Sequence, residues 1–129
     1  MRWLIKCAAT FIVIASLGGC ARTVPIANVY TPVGASHTEA EVKNAILSAG
    51  LQNKWLMHVT APGSIKARLQ TRGHVAEVRI NYSATRYSIS YDNSINLLAS
   101  GGQIHKNYNR WVQNLDQAIQ FNLSDTRVH

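Results

Sequence analysis

The chain has 129 residues, and its 13 Lys and Arg against 6 Asp and Glu give a formal net charge of +7. This length predicts one small domain and excludes a multidomain architecture. Its two cysteines, Cys7 and Cys20, both lie near the start, so the rest of the chain has no thiol for a disulfide, for catalysis or for a metal site.

The first 19 residues have the three parts of a secretory signal peptide. Arg2 and Lys6 supply the positive start, Cys7 to Leu17 the apolar run, and Gly18-Gly19 the small residues of a cleavage site. The apolar run is roughly half of the ~20 residues that a membrane-spanning helix needs. We therefore predict a cleaved signal and not a membrane domain.

Leu17-Gly18-Gly19-Cys20 resembles the lipobox of bacterial lipoproteins; the alternative is a plain signal peptide with a chance cysteine. The resemblance implies that Cys20 becomes the first mature residue and carries diacylglyceryl on sulfur and an acyl chain such as palmitate on nitrogen. Stable anchoring takes two or more such chains. An Asp at position 21 would retain the lipoprotein elsewhere. Because this residue is Ala21, the resemblance implies the outer membrane, facing the periplasm. The alternative is display on the cell surface.

The predicted mature chain is basic. Two of the 13 Lys and Arg lie in the signal, so 11 basic and 6 acidic residues leave a net charge of +5. Besides the membrane that holds the anchor, this charge suits an envelope protein with an acidic face, an anionic lipid or a glycan as partner. An exported chain does not meet nucleic acid, so we expect none.

Residues 20–36 are predicted to be the lipidated cysteine and a tether, because Pro25, Pro32 and Gly34 interrupt any helical period. At ~3.3 Å per residue such a tether reaches about 50 Å. The alternative is an extra edge strand, since Val24, Ile26 and Tyr30 fall at even spacing.

The first predicted helix covers about residues 39–49. Thr38 and Glu41 form a Thr-x-x-Glu capping box, which satisfies two amides at a helix start. Apolar residues follow at helical spacing, and Gly50 supplies a stop.

Alternating apolar and polar residues then predict four antiparallel strands with one buried face, at about 55–60, 65–70, 76–82 and 87–91. The inward positions are Ile65, Ala67, Leu69, Ala76, Val78, Ile80, Tyr82, Tyr87, Ile89 and Tyr91. Residues 92–103 are predicted to be a loop, 104–121 a second amphipathic helix, and 124–129 a frayed tail. The expected fold is an α+β two-layer sandwich over residues 37–123, in which a four-stranded meander carries both helices on one face (α-β-β-β-β-α).

The outward face of this sheet is predicted to be basic. Its candidate partner-binding residues are Lys66, Arg68, Arg72, Arg79 and Arg86. Guanidinium groups suit carboxylate and phosphate oxygens. The alternative is an ordinary solvated face on which cations deter aggregation.

A second candidate site is a small-ligand or glycan site around residues 92–110. Its polar residues are His105, Asn107, Asn109 and Arg110. The alternative is a structural role at the start of a core-packing helix.

Metal, cofactor and catalytic chemistry are not expected. His37, His58, His74, His105 and His129 lack the spacing of zinc ligands. There is no hydrolase elbow, metalloprotease motif or phosphate loop. The covalent lipid on Cys20 is the one group that we predict the chain to carry.

Three segments resemble a family of small, uncharacterised proteobacterial lipoproteins: "APGSIKARLQTRGHVAEVRINY", "YSISYDNSINL" and "IHKNYNRWVQNL". The shared motifs are Pro-Gly-x-Ile, Tyr-Ser-Ile-x-Tyr and Ile-His-x-x-Tyr-Asn-x-Trp. The resemblance covers about residues 63–115 and implies location and fold, but no catalytic residue.

Overall fold

The computed structural model describes residues 22–128, with side chains up to residue 124. The predicted signal peptide, Cys20 and His129 lie outside the described residues. Within the described part of the chain, no helix is long and apolar enough to cross a membrane.

Seven strands and two helices make up this part of the chain. The strands are β1 (Thr23–Pro25), β2 (Val29–Pro32), β3 (Leu56–Ala61), β4 (Ser64–Thr71), β5 (His74–Tyr82), β6 (Arg86–Ile95) and β7 (Gln103–His105). The helices are α1 (Glu39–Gln52) and α2 (Lys106–Val128).

The main sheet is antiparallel and has the strand order β2-β6-β5-β4-β3. The expected α+β class is confirmed, but the predicted four-stranded arrangement is wrong, because β2 adds a fifth strand beside β6. A separate two-stranded sheet pairs β1 with β7.

One face of the main sheet packs against both helices. Ile65, Val78 and Ile89 from the central strands are completely buried in one cluster with Ile46 of α1 and Leu115 of α2. These strands alternate buried and more exposed residues, as period-two patterning requires. The opposite face of the sheet is not covered by either helix.

The segment from Arg22 to Val33, here called the strap, is folded onto the domain. Its two strands pair with β7 and β6, and the Ile26 amide donates to the Gly102 carbonyl (2.9 Å). The predicted tether is therefore wrong for these residues, and the alternative of an added edge strand is correct. Proline is tolerated at strand ends and at edges, where no ladder amide is needed.

Helix α1 begins at the predicted capping box. The Glu41 amide donates to Thr38 Oγ1 (3.1 Å), and the Thr38 amide donates to Glu41 Oε1 (2.9 Å). The helix continues past the expected stop at Gly50 to Gln52. Gly50 serves close packing instead, because a Cβ there would lie 2.2 Å from the sulfur of Met57.

Strand β6 is longer than predicted and contains a bulge. Glu77 pairs with Asn93 and Val78 with Tyr91, so Asp92 is an extra residue on β6. Residues 92–95, expected in a loop, are therefore strand. Helix α2 continues to Val128, where a frayed tail was predicted, and the folded unit extends beyond the expected limits of 37 and 123.

Candidate binding surface

The uncovered face of the main sheet, here called the open face, carries three of the five predicted basic residues near its centre. Lys66 and Arg79 face each other across β4 and β5, and Arg68 faces Glu77 in the same ladder. All four side chains are half-buried, because neighbours on the same face cover their stems.

Two of these cations are neutralised within the protein. Arg68 donates to Glu77 Oε2 (2.8 Å), and Lys66 Nζ lies 3.3 Å from Asp92 Oδ2. Exposed ion pairs of this kind contribute only about 0–1 kcal/mol to stability. Their main consequence is electrostatic, since they lower the net positive charge that the centre of the open face presents to a partner.

Arg79 remains without an ion pair among the described residues. The other two predicted residues lie at the two ends of the sheet. Arg72 is exposed in the β4–β5 turn, and Arg86 is exposed at the opposite end of the sheet, at the start of β6. The structure thus does not bring the five predicted residues together as one platform.

A groove opens at the β2 side of the open face, and the sequence did not indicate it. We call it the Tyr30–Arg86 groove; it lies at the end of the sheet, where Tyr30, Asn81, Arg86 and Ser88 line it from the open face and Thr31, Tyr82 and Tyr87 from the side of the helices. Ser88 stands between Tyr30 and Asn81 in the strand register, which places these three on one row of the face. Tyr30 is 76% exposed. Tyr is enriched at protein interfaces, where it often acts as an anchor, so this exposed ring is available to a partner.

The groove could not be found from sequence because its parts come from three strands. Tyr30 belonged to the predicted tether, and only the pairing of β2 with β6 places it beside Arg86. The one local signal was the even spacing that also predicted an edge strand.

The second predicted site is largely occupied by the protein's own backbone. Asn109 Nδ2 donates to the Pro25 carbonyl (3.0 Å), and Asn109 Oδ1 accepts from the Ala27 amide (3.1 Å). His105 Nδ1 accepts from the Asn107 amide (3.1 Å) at the start of α2. These contacts favour the structural alternative for Asn109 and His105, whereas Arg110 is exposed.

A partly buried polar cluster joins the strap to α2. Asp116 Oδ1 accepts from Tyr87 Oη (2.5 Å) and from Thr31 Oγ1 (3.0 Å), and Oδ2 accepts from Gln120 Nε2 (2.9 Å). Burial, followed by the hydrogen bond to Asp116, raises the pKa of the Tyr87 hydroxyl far above its ordinary range. Such a phenol is a fixed donor, so the cluster fastens β2 to the helix layer.

Tyr108 is the contrasting case. It is completely buried, and its hydroxyl has no hydrogen-bond partner among the described residues. Its ring meets the edge of Tyr91, with ring centroids 5.6 Å apart. Burial, followed by the electrostatic effect of Tyr91, raises the pKa of the Tyr108 hydroxyl strongly.

The described histidines and acids are dispersed. His58 lies on β3 and His74 on β5, with β4 between them, and His37 Nε2 lies 3.1 Å from the Leu123 carbonyl oxygen. In the described part of the chain, no three His, Cys, Asp or Glu residues are grouped so that they could hold a metal ion.

Comparison with known proteins finds no family model and no curated protein that matches the chain. Function is therefore inferred from the geometry of the described residues and from the patterns in the sequence.

Proposed function

We propose that this chain is an outer-membrane-anchored periplasmic lipoprotein whose α+β domain is a non-catalytic module that binds another envelope protein. The observation that carries the proposal is the open face of the sheet with the Tyr30–Arg86 groove at its edge. The anchor rests on the lipobox resemblance at Cys20, and the location rests on Ala21.

The chemistry of the open face indicates what kind of partner surface fits it. An apolar side chain of the partner can pack against Tyr30 and Pro32 in the groove, while Arg86 and Arg79 are free to bind carboxylates. Tyr and Arg are the residues that most often dominate binding energy when they become buried at an interface. We therefore expect the partner to present an acidic patch around an apolar residue.

A non-catalytic role is supported by the way the acids are used. Glu41 caps a helix, Glu77 and Asp92 bind cations, and Asp116 accepts three hydrogen bonds. A cleft with two available titratable groups would be needed for general acid–base catalysis. A cellular role lost on Glu77→Gln, with folding and partner binding retained, would contradict this part of the proposal.

The alternative glycan or small-ligand site around residues 92–110 has weaker support. Asn109 and His105 use their polar side-chain atoms on the protein's own backbone. A ligand there would have to displace the strap.

Site-specific photo-crosslinking in living cells tests the binding surface. A photoreactive phenylalanine derivative replaces Tyr30 in one variant and Phe121 in the other. Both residues are exposed aromatics, but Phe121 lies on α2, in the helix layer. We expect one envelope protein to be captured from position 30 and not from position 121.

Charge reversal then tests the chemistry of that contact. Arg79→Glu and Arg86→Glu should each reduce capture from position 30, and Lys43→Glu on α1 is the charge-matched control. Equal capture from both positions, or capture that is indifferent to Arg79 and Arg86, would refute the open face as the docking surface.

Metabolic labelling with an alkyne-bearing palmitate tests the anchor. Cys20→Ala should lose the label and leave the membrane fraction, because no other cysteine remains in the predicted mature chain. Cys7→Ala should keep the label, since Cys7 lies within the predicted signal.

A further inference from the structure

The strap fixes the point at which the described chain approaches the predicted anchor. The Lys106 amide donates to the Arg22 carbonyl (3.3 Å), so Arg22 lies at the N-terminus of α2. Only two residue steps separate Cys20 from Arg22, and these span at most about 7 Å. A domain whose strap is folded therefore cannot stand far from the membrane that holds Cys20.

The surface around Arg22 is one continuous end of the molecule. The His105 amide donates to the Leu97 carbonyl (2.8 Å), which joins β7 to the loop after β6. In turn, Asn96 Nδ2 donates to the Gly73 carbonyl (3.4 Å) in the β4–β5 turn. We call this region the strap end; it comprises Arg22, Arg72-Gly73, Asn96–Leu98 and Lys106.

The strap end is basic. Arg22, Arg72 and Lys106 are all exposed there, and the sequence has no Asp or Glu from 21 to 38 or from 93 to 115. The opposite end is mixed in charge, since Glu39 and Lys43 share a shallow depression there and Arg86 is exposed at the start of β6. The strap end is thus the more uniformly basic of the two ends, and it lies on the side of the predicted anchor.

An apolar residue projects from the same end. Leu98 is 53% exposed, whereas its neighbour Leu97 is only 1% exposed and packs the loop against the core. Leu98 also has a φ of 58°, a left-handed conformation that is costly for a side chain of this kind. An exposed leucine among cations is the pattern that interfacial membrane-binding segments use.

We propose that the strap end is a membrane-docking surface, on which Arg22, Arg72 and Lys106 bind the phosphates of anionic phospholipids and Leu98 inserts below them. The inference rests on the proposed lipidation of Cys20. The domain then lies directly on the bilayer and turns its opposite, mixed-charge end away from the membrane. The open face runs from one end to the other, and it stays accessible to a partner from the side.

Depth-sensitive fluorescence tests this proposal with the intact lipoprotein. Leu98→Cys introduces the one free thiol of the predicted mature chain, which is labelled with the environment-sensitive fluorophore NBD. Ala61→Cys, at the exposed far end of β3, is the control position. The purified proteins are reconstituted in vesicles of phosphatidylethanolamine and phosphatidylglycerol, with phosphatidylcholine alone as the neutral reference.

For the label at position 98 we expect a blue-shifted emission and quenching by brominated lipids. For the label at position 61 we expect neither effect. Arg72→Gln and Lys106→Gln should each lower the ratio of docked to undocked protein about fivefold on the anionic vesicles. Lys43→Gln, in the depression at the opposite end, should leave this ratio unchanged.

The two failures are distinguishable. If the protein floats with the vesicles but the label at position 98 stays in water, the docking surface is refuted and the lipoprotein proposal stands. If the purified protein carries no lipid and does not float with the vesicles, the anchor itself is refuted. Docking that is equal on neutral vesicles and indifferent to Arg72 and Lys106 would overturn the phosphate contact.

Discussion

Two buried tyrosines pack against α2 or belong to it, yet their hydroxyls are in opposite situations. Tyr87 donates to Asp116, whereas the Tyr108 hydroxyl is buried without a partner among the described residues. A buried polar group costs free energy unless it is hydrogen-bonded. The same chemical change, removal of one oxygen, is therefore expected to shift stability in opposite directions at these two positions.

Tyr108→Phe should raise the free energy of unfolding by about 1 kcal/mol, because the ring contact with Tyr91 is retained and an unpaired hydroxyl is removed. Tyr87→Phe should lower it by about 1–2 kcal/mol, since Asp116 loses its charge-assisted donor. Urea unfolding of both variants checks the pair. A loss at position 108 as large as that at position 87 would show that the Tyr108 hydroxyl has a partner.

Helix α1 depends on its first turn. Thr38→Ala removes the side-chain oxygen that accepts from the Glu41 amide, and we expect a loss of about 1 kcal/mol in the free energy of unfolding. Ser48→Ala, exposed on the same helix, is the control; it should be neutral or slightly stabilising, because alanine is the better helix former. Thermal unfolding followed by circular dichroism distinguishes the two. Equal melting temperatures would contradict a contribution from the capping box.

The strap depends on one asparagine of α2. Asn109→Ala removes both side-chain hydrogen bonds to the strap. We expect the free energy of opening the strap to fall by about 1.4 kcal/mol, so hydrogen exchange at the Ile26 and Ala27 amides should accelerate at least tenfold. Asn107→Ala is the matched control, since the Asn107 side chain makes no hydrogen bond among the described residues. Unchanged exchange in Asn109→Ala would mean that the strands alone hold the strap.

The elements that sequence predicted correctly are those determined by neighbours in the chain. The capping box and the alternation in β4 and β5 are local patterns, and the structure has them as expected. The strap was mistaken for a tether because its partners are distant in the chain, as with Pro32 and Arg86, 54 positions apart, and Thr31 and Asp116, 85 positions apart. No local pattern indicated that pairing.

The binding surface was predicted only in part for the same reason. Alternation correctly placed Lys66, Arg68 and Arg79 on the outward face, but it did not show that Arg68 and Lys66 are paired with acids. The groove required β2 to lie beside β6. The bulge at Asp92 also reverses which residues of β6 face the helices. Beyond the bulge, Ile95 lies on the open face, where it pairs with Val75.

For the whole molecule, the two buried tyrosines predict sensitivity to alkaline conditions. Their pKa values are raised in the folded state, whereas a phenol in the unfolded chain titrates near its ordinary pKa of about 10. Below that pH both states hold the proton, and the full stability is present. Above it the unfolded state loses protons first, so the free energy of unfolding falls by about 1.4 kcal/mol per pH unit for each tyrosine.

Melting temperatures measured across this range check the sign. The decline above about pH 10 should be shallower in the double variant Tyr87→Phe/Tyr108→Phe than in the wild type. Tyr30→Phe is the control, because Tyr30 is mostly exposed. Identical slopes in the wild type and the double variant would contradict burial of the two phenols.

The pairing of the strap with β6, β7 and α2 also sets an order in time. When a chain is exported from its N-terminus, its first residues leave the membrane pore first. Here those residues contact residues that leave the pore much later. Thr31 contacts Asp116, 85 positions further on, and His37 contacts Leu123, 86 positions further on. Contacts so distant in sequence slow folding, because a long loop must close before they form. For the exported lipoprotein that we propose, the fold would be completed only after most of the chain has crossed, and until then the segment beside the predicted anchor would be open to the enzymes that process it.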